Sequence, residues 1–402
     1  MTEASWRPGL ARPGEEQAGP ERVLVVNAGS SSLKLSLISA DGASRDRYEM
    51  ERWDGSPDAQ DLLAYLRRLR GARQPPDAVG HRVVHGGALF TSATLIDDDV
   101  LAGIVGLSSL APLHQARALA GIEATTAALG SLPQVACFDT AFHATLPPEA
   151  WTYPVPARWR REFGLRKYGF HGLSHSYAAG RAAELLDITD LQQFLVVTCH
   201  LGAGSSLAAV HGGRSVETTM GFTPVDGLVM ATRPGSIDPG MIVWLADQGR
   251  VRLADIADGL EHGSGLAALA GLEDGSGDMR EVIAAADRGD PDAGLALGVH
   301  AHRLVAGVAA MAAAMNGIDA LVFTGGIGEH APVVRSRAAA GLAFLGVAVD
   351  EQRNLAACSD ADISSDGALV RTLVVSARED LEIARSVRQV LSRRDIGRRG
   401  QP

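Results

Sequence analysis

Along the chain, short apolar runs closed by Gly, Asn or Asp alternate with longer segments of helical period. The runs predict strands over 23–26, 33–38, 79–84, 135–138, 194–199, 207–210, 320–324 and 373–376. Apolar residues recurring at three- and four-residue spacing predict helices over 59–70, 115–129, 174–186, 295–316, 331–343 and 379–391. Short strands alternating with helices point to an α/β protein. Residues 1–21 are rich in Pro, Gly and Glu without periodicity and are expected to be a mobile tail, as are residues 393–402.

Composition narrows the class. A chain of 402 residues suits two or three domains at ~150 residues each. Hydrophobic residues at 46% and charged residues at 21% exclude wholesale disorder. A formal charge of −10 argues against broad nucleic-acid binding, which needs a basic face to displace counterions. No apolar run reaches the ~18 residues of a membrane span, and the stretch 305–315 is expected to be a core helix. Residues 1–21 lack the apolar stretch of a secretion signal. Cys137, Cys199 and Cys358 have no paired spacing, so neither a disulfide framework nor a zinc site is supported, and a reducing cytoplasm is expected. Only Lys34 and Lys167 are lysines and neither follows a glycine, which excludes an ordinary Walker A loop.

An internal repeat links the two halves. Val25-Val26-Asn27-Ala28-Gly29-Ser30-Ser31-Ser32-Leu33 is echoed by Val197-Thr198-Cys199-His200-Leu201-Gly202-Ala203-Gly204-Ser205-Ser206-Leu207. Each is a strand, a Gly/Ser turn and a second strand. Small residues let backbone N–H groups converge on an anion, and hydroxyls add donors. Either turn alone could be a plain hairpin. Together they suggest a duplicated domain gripping a phosphate. A third glycine loop, Thr324-Gly325-Gly326-Ile327-Gly328-Glu329, follows a strand and opens a helix, where partial positive charge suits a phosphate or ribose. Gly326-x-Gly328-x-x-Ala331 with Asp350 downstream loosely matches a dinucleotide fingerprint, but no second βαβ half follows, so a nicotinamide dehydrogenase is a poor runner-up.

Several polar residues fall at the ends of apolar strands, where burial must be offset by partners or ligands. Arg82 precedes Val83-Val84-His85-Gly86-Gly87, and His114 opens a helix. Asp139 ends a strand, His171 lies between Phe170 and Gly172, and Arg233 sits in a rigid turn ahead of Pro234 and Gly235. Arginines, histidines and an aspartate beside phosphate loops form an inventory for phosphoryl transfer, which needs alignment and charge neutralisation. Each has an ordinary alternative: a strand arginine commonly pairs with a carboxylate, and His81, His85, His143 and His175 are structural by default. The basic run Arg160, Arg161, Arg166 and Lys167 is expected to be solvated.

Asn27 to Lys34 and Gly169-Phe170-His171-Gly172-Leu173-Ser174-His175 closely resemble the two signatures of the acetate kinase family. His81 to Gly87, Pro112 to His114, Phe138 to His143, Gly221 to Pro224 and Gly325 to Glu329 match in the same order, so the resemblance spans about 23–385. It implies two duplicated actin-like domains of the sugar-kinase type with an active-site cleft between them: 22–145 plus 382–392 for the first, and 146–381 for the nucleotide-binding second. It implies reversible transfer of the ATP γ-phosphoryl group to acetate. By the same resemblance Arg82, Asp139, His171 and Arg233 are catalytic, and Arg82, Val84, Leu113, His114, Phe170 and Pro224 contact the acid. Ser30, Ser32, Lys34, His200, Gly202, Ala203, Gly204, Gly325, Gly326, Ile327 and Gly328 would border the nucleotide. Asn27 and Glu379 would hold Mg²⁺, with Mn²⁺ as a substitute. A cytoplasmic homodimer that binds neither membrane nor nucleic acid is implied.

The apolar lining of Val84, Leu113, Phe170 and Pro224 suits a methyl group, and the β-branched Val84 favours acetate over propionate by the ~1–3 kcal/mol that one methylene commands. Departures from the family pattern fall at Ala203, where Asn is usual, at Gln115-Ala116 for Asn-Pro, at Pro234 and Ser236 for Ser and Asp, and at Arg378-Glu379-Asp380 for Asn-Glu-Glu. The alternatives are a propionate or butyrate kinase and, in another class, an inactive nucleotide-binding regulator.

Overall fold

A computed structural model describes residues 19–29, 32–247, 249–272, 275 and 277–399, without the side chains of Leu113 and of residues beyond 393. Of the expectations above, the greater part of the N-terminal tail, Ser30 and the Leu113 side chain lie outside the described residues.

Two α/β units are present. Unit 1 comprises Met1–Ala144, Phe170–Tyr177 and Arg378–Pro402, and unit 2 comprises Thr145–Gly169 and Ala178–Ala377. In unit 1, β1 (Arg22–Ala28), β2 (Leu33–Ser39) and β3 (Ser44–Met50) form an antiparallel meander. Next to β1 and parallel to it runs β4 (Ala78–Val83). The two-residue β5 (Thr94–Leu95) lies at the far edge, and β6 (Gln134–Phe138) sits between them, parallel to β4. The sheet order is β3-β2-β1-β4-β6-β5.

Unit 2 repeats the plan. The meander is β7 (Leu195–Leu201), β8 (Ser205–His211) and β9 (Arg214–Thr218), and β10 (Ala320–Thr324) pairs in parallel with β7. The edge strand β11 (Ala361–Asp362) is antiparallel to β12 (Arg371–Val374), which is parallel to β10. Its order, β11-β12-β10-β7-β8-β9, is that of unit 1 with each strand replaced by its counterpart. The repeat seen in the sequence is therefore a repeat of whole sheets.

The central strands form where predicted because both faces are covered. Along β1, Leu24 and Val26 pack with Leu62, Leu66 and Leu69 of the helix Gln60–Arg70, whereas Val23 and Val25 pack with Ile383, Ala384 and Val387 of the helix Glu379–Arg399. Period-two alternation thus feeds two cores from one apolar run, and each fully buried Leu, Ile or Val contributes about 1.5–3 kcal/mol. The approach of the last helix depends on Gly80 in β4: a Cβ there would lie 2.6 Å from Ile383 and 2.7 Å from Val387.

In unit 2 the helix Pro291–Ala314 is long and apolar enough to cross a membrane by length and composition. Its Leu297, Leu304, Val308 and Met311 are instead buried with Leu207, Leu321 and Phe323 in the core of unit 2, as expected for 305–315.

Three expectations are corrected. The final helix runs to Arg399, past 391, so residues 393–399 are helical and not a tail; no proline or glycine cap stops it where apolar periodicity fades. The segment Phe170–Tyr177, expected in the second domain, belongs to unit 1, because the Gly172 N–H donates to the Asp139 carbonyl at 2.9 Å and Leu173 packs with Val23, Val25 and Cys137. The edge strands β3, β5, β9 and β11 carry no apolar run and were not predicted; β3, with the sequence SRDRYEM, alternates half-buried and exposed residues, and only its Tyr48 and Met50 pack against the core.

Candidate active site

Parallel strands deliver their carboxyl ends to one edge of a sheet, which is where open α/β sheets bind ligands. In unit 1 the register aligns Val26 with His81 and Val83 with Phe138, so Asn27, Arg82 and Asp139 emerge together. Arg82 donates from Nε to both Asp139 carboxylate oxygens at 3.1 Å and from Nη2 to Oδ2 at 2.6 Å. Its Nη1 donates to Asn27 Oδ1 at 3.2 Å and lies 3.8 Å from Glu379 Oε2. Asn27 Nδ2 completes the ring by donating to Glu379 Oε2 at 3.0 Å. Four residues from three strand ends and a helix start therefore form one polar cluster.

Burial sets its electrostatics. Asp139 is 1% exposed and the Arg82 side chain 15%. Desolvation opposes the guanidinium charge, but Asp139 and Glu379 outweigh it and raise the Arg82 pKa. The same desolvation pushes the Asp139 carboxyl up, against the pull of Arg82. A buried pair of this kind is held by geometry, and removing either partner strands the other.

The segment that carries His171 is tied to Asp139 through Gly172, whose N–H donates to the Asp139 carbonyl at 2.9 Å. A Cβ on Gly172 would lie 2.1 Å from that carbonyl oxygen, so only glycine permits this contact. His171 itself adopts φ 56°, a left-handed conformation uncommon outside glycine. It opens the helix Gly172–Leu185, accepting from the His175 N–H at 2.9 Å. Phe170, 2% exposed, meets the His85 ring edge-on at 5.3 Å, and its carbonyl pairs with His143 Nε2 at 3.0 Å. Val84 is 7% exposed immediately beyond β4, and His114 lies in the first turn of the helix Pro112–Leu129. Ser32 accepts from the Gly29 N–H at 2.7 Å in the β1–β2 turn. Lys34 points outward from β2 and pairs with Glu49 at 2.8 Å, both about half exposed, so the structure does not bring it into the cluster.

Unit 2 carries the remaining candidates. Arg233 donates to the Pro224 carbonyl at 3.1 Å, and burial lowers its pKa. It forms no ion pair among the described residues. Its loop is closed by Met230 N–H to Arg233 O (3.0 Å) and Ser236 N–H to Gly227 O (3.0 Å). Ser236 Oγ donates to Asp226 at 2.6 Å, so Asp226 supplies a carboxylate to a turn where position 236 itself has none.

His200 is the penultimate residue of β7, and the Gly202-Ala203-Gly204 turn to β8 is closed by Gly202 N–H to Gly204 O at 3.1 Å. Gly325, Gly326, Ile327 and Gly328 form the short helix Gly325–His330 after β10. Glu329 fastens it by accepting from the Gly325 and Ala377 N–H groups at 3.1 and 3.0 Å. In the sequence Glu329 is legible only as the end of a glycine loop and Asp226 not at all, because their partners are backbone amides and a serine, which leave no motif.

Two sheets of identical strand order, a carboxylate-held arginine at the strand ends of one and glycine turns at the strand ends of the other define a protein of duplicated α/β domains with anion-binding features at the strand ends of each. Comparison with known proteins makes this specific. The model of the Acetokinase family matches residues 60–385. The chain is 44% identical over 390 residues to the acetate kinase of Clavibacter michiganensis subsp. michiganensis, covering 90% of this chain and 97% of the relative. It is 46% identical over 409 residues to that of Trichormus variabilis, covering 92% and 100%. Among solved structures it is similar to Porphyromonas gingivalis acetate kinase, with TM-score 0.84, 33% identity and coverage of 92% and 100%. It is similar also to a propionate kinase from Francisella tularensis, with TM-score 0.82, 37% identity and coverage of 91% and 98%. The chain belongs to the acetokinase family.

Proposed function

We propose that the protein catalyses reversible transfer of the γ-phosphoryl group of ATP to acetate, giving acetyl phosphate and ADP. A carboxylate oxygen attacks the γ-phosphorus while the bond to the β–γ bridging oxygen breaks, and that oxygen leaves on ADP. Such a reaction needs positioned positive charge more than covalent help from the protein.

The observation that carries this reading is the Arg82 guanidinium, locked by Asp139 on one edge and by Asn27 on another. A cation held this way offers fixed donors to an anion and loses little freedom on binding it. In this reading Arg82 binds the acid carboxylate, with His114 as a further anion contact. Arg233 and His171 neutralise the equatorial oxygens of the moving phosphoryl group. Val84, Leu113, Phe170 and Pro224 enclose the methyl group, while Ser30, Ser32, His200 and the glycine turns of unit 2 border the nucleotide.

Asn27 and Glu379 would hold Mg²⁺. They present hard oxygen donors, and among the described residues no group of three or more His, Cys, Asp or Glu is placed to cage a metal. That fits an ion bound by one or two protein oxygens, with phosphate oxygens and waters completing its shell. When bound, the ion neutralises phosphate charge. Two further elements of the reading are a homodimeric active form, testable by light scattering, and a cytoplasmic location, in keeping with three free cysteines.

The test is ATP- and Mg²⁺-dependent acyl phosphate formation, trapped with hydroxylamine, with acetate, propionate, butyrate and no acid. The expected order is acetate, then propionate, with butyrate poor. Likeness to a propionate kinase makes propionate preference the second reading. No product with any acid, although ATP binds, would overturn both.

A further inference from the structure

Gln115 is 0% exposed, one residue beyond His114 on the helix Pro112–Leu129. Its backbone N–H donates to the Ala111 carbonyl at 2.9 Å, and its side-chain Nε2 donates to the His85 carbonyl at 2.9 Å across 30 positions of sequence. The amide oxygen Oε1 has no hydrogen-bond partner among the described residues. Leaving a buried acceptor unpaired is costly, and a residue kept only to fill space would be better apolar. The bond to His85 is therefore what the side chain contributes.

That bond lands on a segment held from both sides. His85 Nδ1 accepts from the Gly87 N–H at 2.9 Å, and burial drops the ring pKa to about 4, so the imidazole is neutral and carries its proton on Nε2. The ring packs edge-on against Phe170. The next N–H, on Gly86, donates to Thr140 Oγ1 at 3.0 Å. Val84 precedes His85 directly, and Arg82 lies three residues before it on the same stretch. Gln115 thus ties the first turn of the helix Pro112–Leu129, which carries Leu113 and His114, to the chain that carries Val84 and Arg82.

We propose that Gln115 is a positioning residue for the acid: it fixes the spacing between Val84 and the first turn of the helix Pro112–Leu129, and with it the chain length accepted. The pocket assignment on which this rests is that of the proposed function. Asparagine is one methylene too short to span the bond, and methionine keeps the volume but cannot donate.

The experiment measures kcat and KM for acetate, propionate and ATP, with thermal midpoints, in Gln115→Asn and Gln115→Met. In both variants KM for acetate should rise roughly tenfold. The propionate-to-acetate ratio of kcat/KM should rise about threefold or more, a fraction of what one methylene is worth. KM for ATP should stay within about twofold, since neither variant touches the nucleotide turns. Agreement between two variants of different volume identifies the lost bond as the cause. Should the asparagine variant fail to fold, methionine of matching volume carries the test. Unchanged acid KM and unchanged ratio, whatever the melting temperature does, would reduce Gln115 to core packing and overturn the proposal while acetate phosphorylation stands. A wild-type protein inactive with every acid would overturn the two together.

Discussion

Asp139 holds Arg82 through three contacts of 2.6–3.1 Å in a site where the carboxylate is 1% exposed. In Asp139→Ala the guanidinium stays buried and loses its principal counter-charge. Breaking one side of a buried ion pair costs about 3–5 kcal/mol. Asn27 Oδ1 at 3.2 Å and Glu379 at 3.8 Å remain as partial partners, which places the expected loss at the low end, about 3 kcal/mol. A urea melt should read this as a lower midpoint with unchanged slope. Turnover should fall further than folding explains, because an unanchored guanidinium no longer meets the reacting carboxylate in one geometry; losing one preorganised donor costs about 10²–10³ in kcat. The two effects separate in Arg82→Met/Asp139→Leu, where an apolar pair of similar volume replaces the charges. Stability should largely return, as for other buried pairs replaced by hydrophobes, and acyl phosphate formation should stay absent. Asp139→Ala with wild-type urea midpoint and kcat within threefold would refute the reasoning. So would an active double variant.

Arg233→Ala should abolish turnover yet leave ATP affinity and melting temperature close to wild type, since among the described residues the side chain holds the Pro224 carbonyl and a weak contact to the Met230 sulfur; wild-type-like hydroxylamine trapping would sink the role. Gly80→Ala pushes a methyl group to within 2.6–2.7 Å of Ile383 and Val387 and should cost about 1–3 kcal/mol by overpacking, with activity falling because the displaced helix carries Glu379; an unchanged melting curve would be inconsistent with the packing described. Burial holds His81 and His300 at a pKa of about 4, below the ordinary value near 6.5. Below about pH 6.5 the unfolded chain binds protons that the folded chain refuses, so stability falls by up to about 1.4 kcal/mol per pH unit for each such histidine until about pH 4. A urea midpoint flat between pH 6.5 and 4.5 would contradict this.

Much of the core was legible because β1, β4, β7, β8 and β10 are covered on both faces and read as apolar runs. The edge strand β3, half-buried on one face with mostly polar residues, and the two-residue β5 and β11 bury too little apolar surface to leave a pattern. At the site, Asn27, Arg82 and Asp139 stood out as polar residues closing apolar strands, and the structure gathers them. Glu379 reaches Asn27 across 352 positions, a pairing that no local signal carries; only the family resemblance pointed to it. Phe170–Tyr177 was misassigned because its attachment to unit 1 depends on the Gly172 approach to Asp139, a long-range steric fact. Gln115 was legible as a departure from pattern, but its partner, a backbone carbonyl, is invisible in any sequence.

The helix Glu379–Arg399 fills one face of the sheet in unit 1 and also starts with Glu379 at the Asn27–Arg82 cluster. During synthesis, β1, β2, β4 and β6 therefore leave the ribosome long before the segment that covers them, and their apolar face waits through the translation of all of unit 2. Closing so distant a contact is slow, and an uncovered sheet face invites aggregation meanwhile. The same wiring delays the polar cluster: a nascent polypeptide that already carries Asn27, Arg82 and Asp139 lacks the fourth member until Glu379 is made.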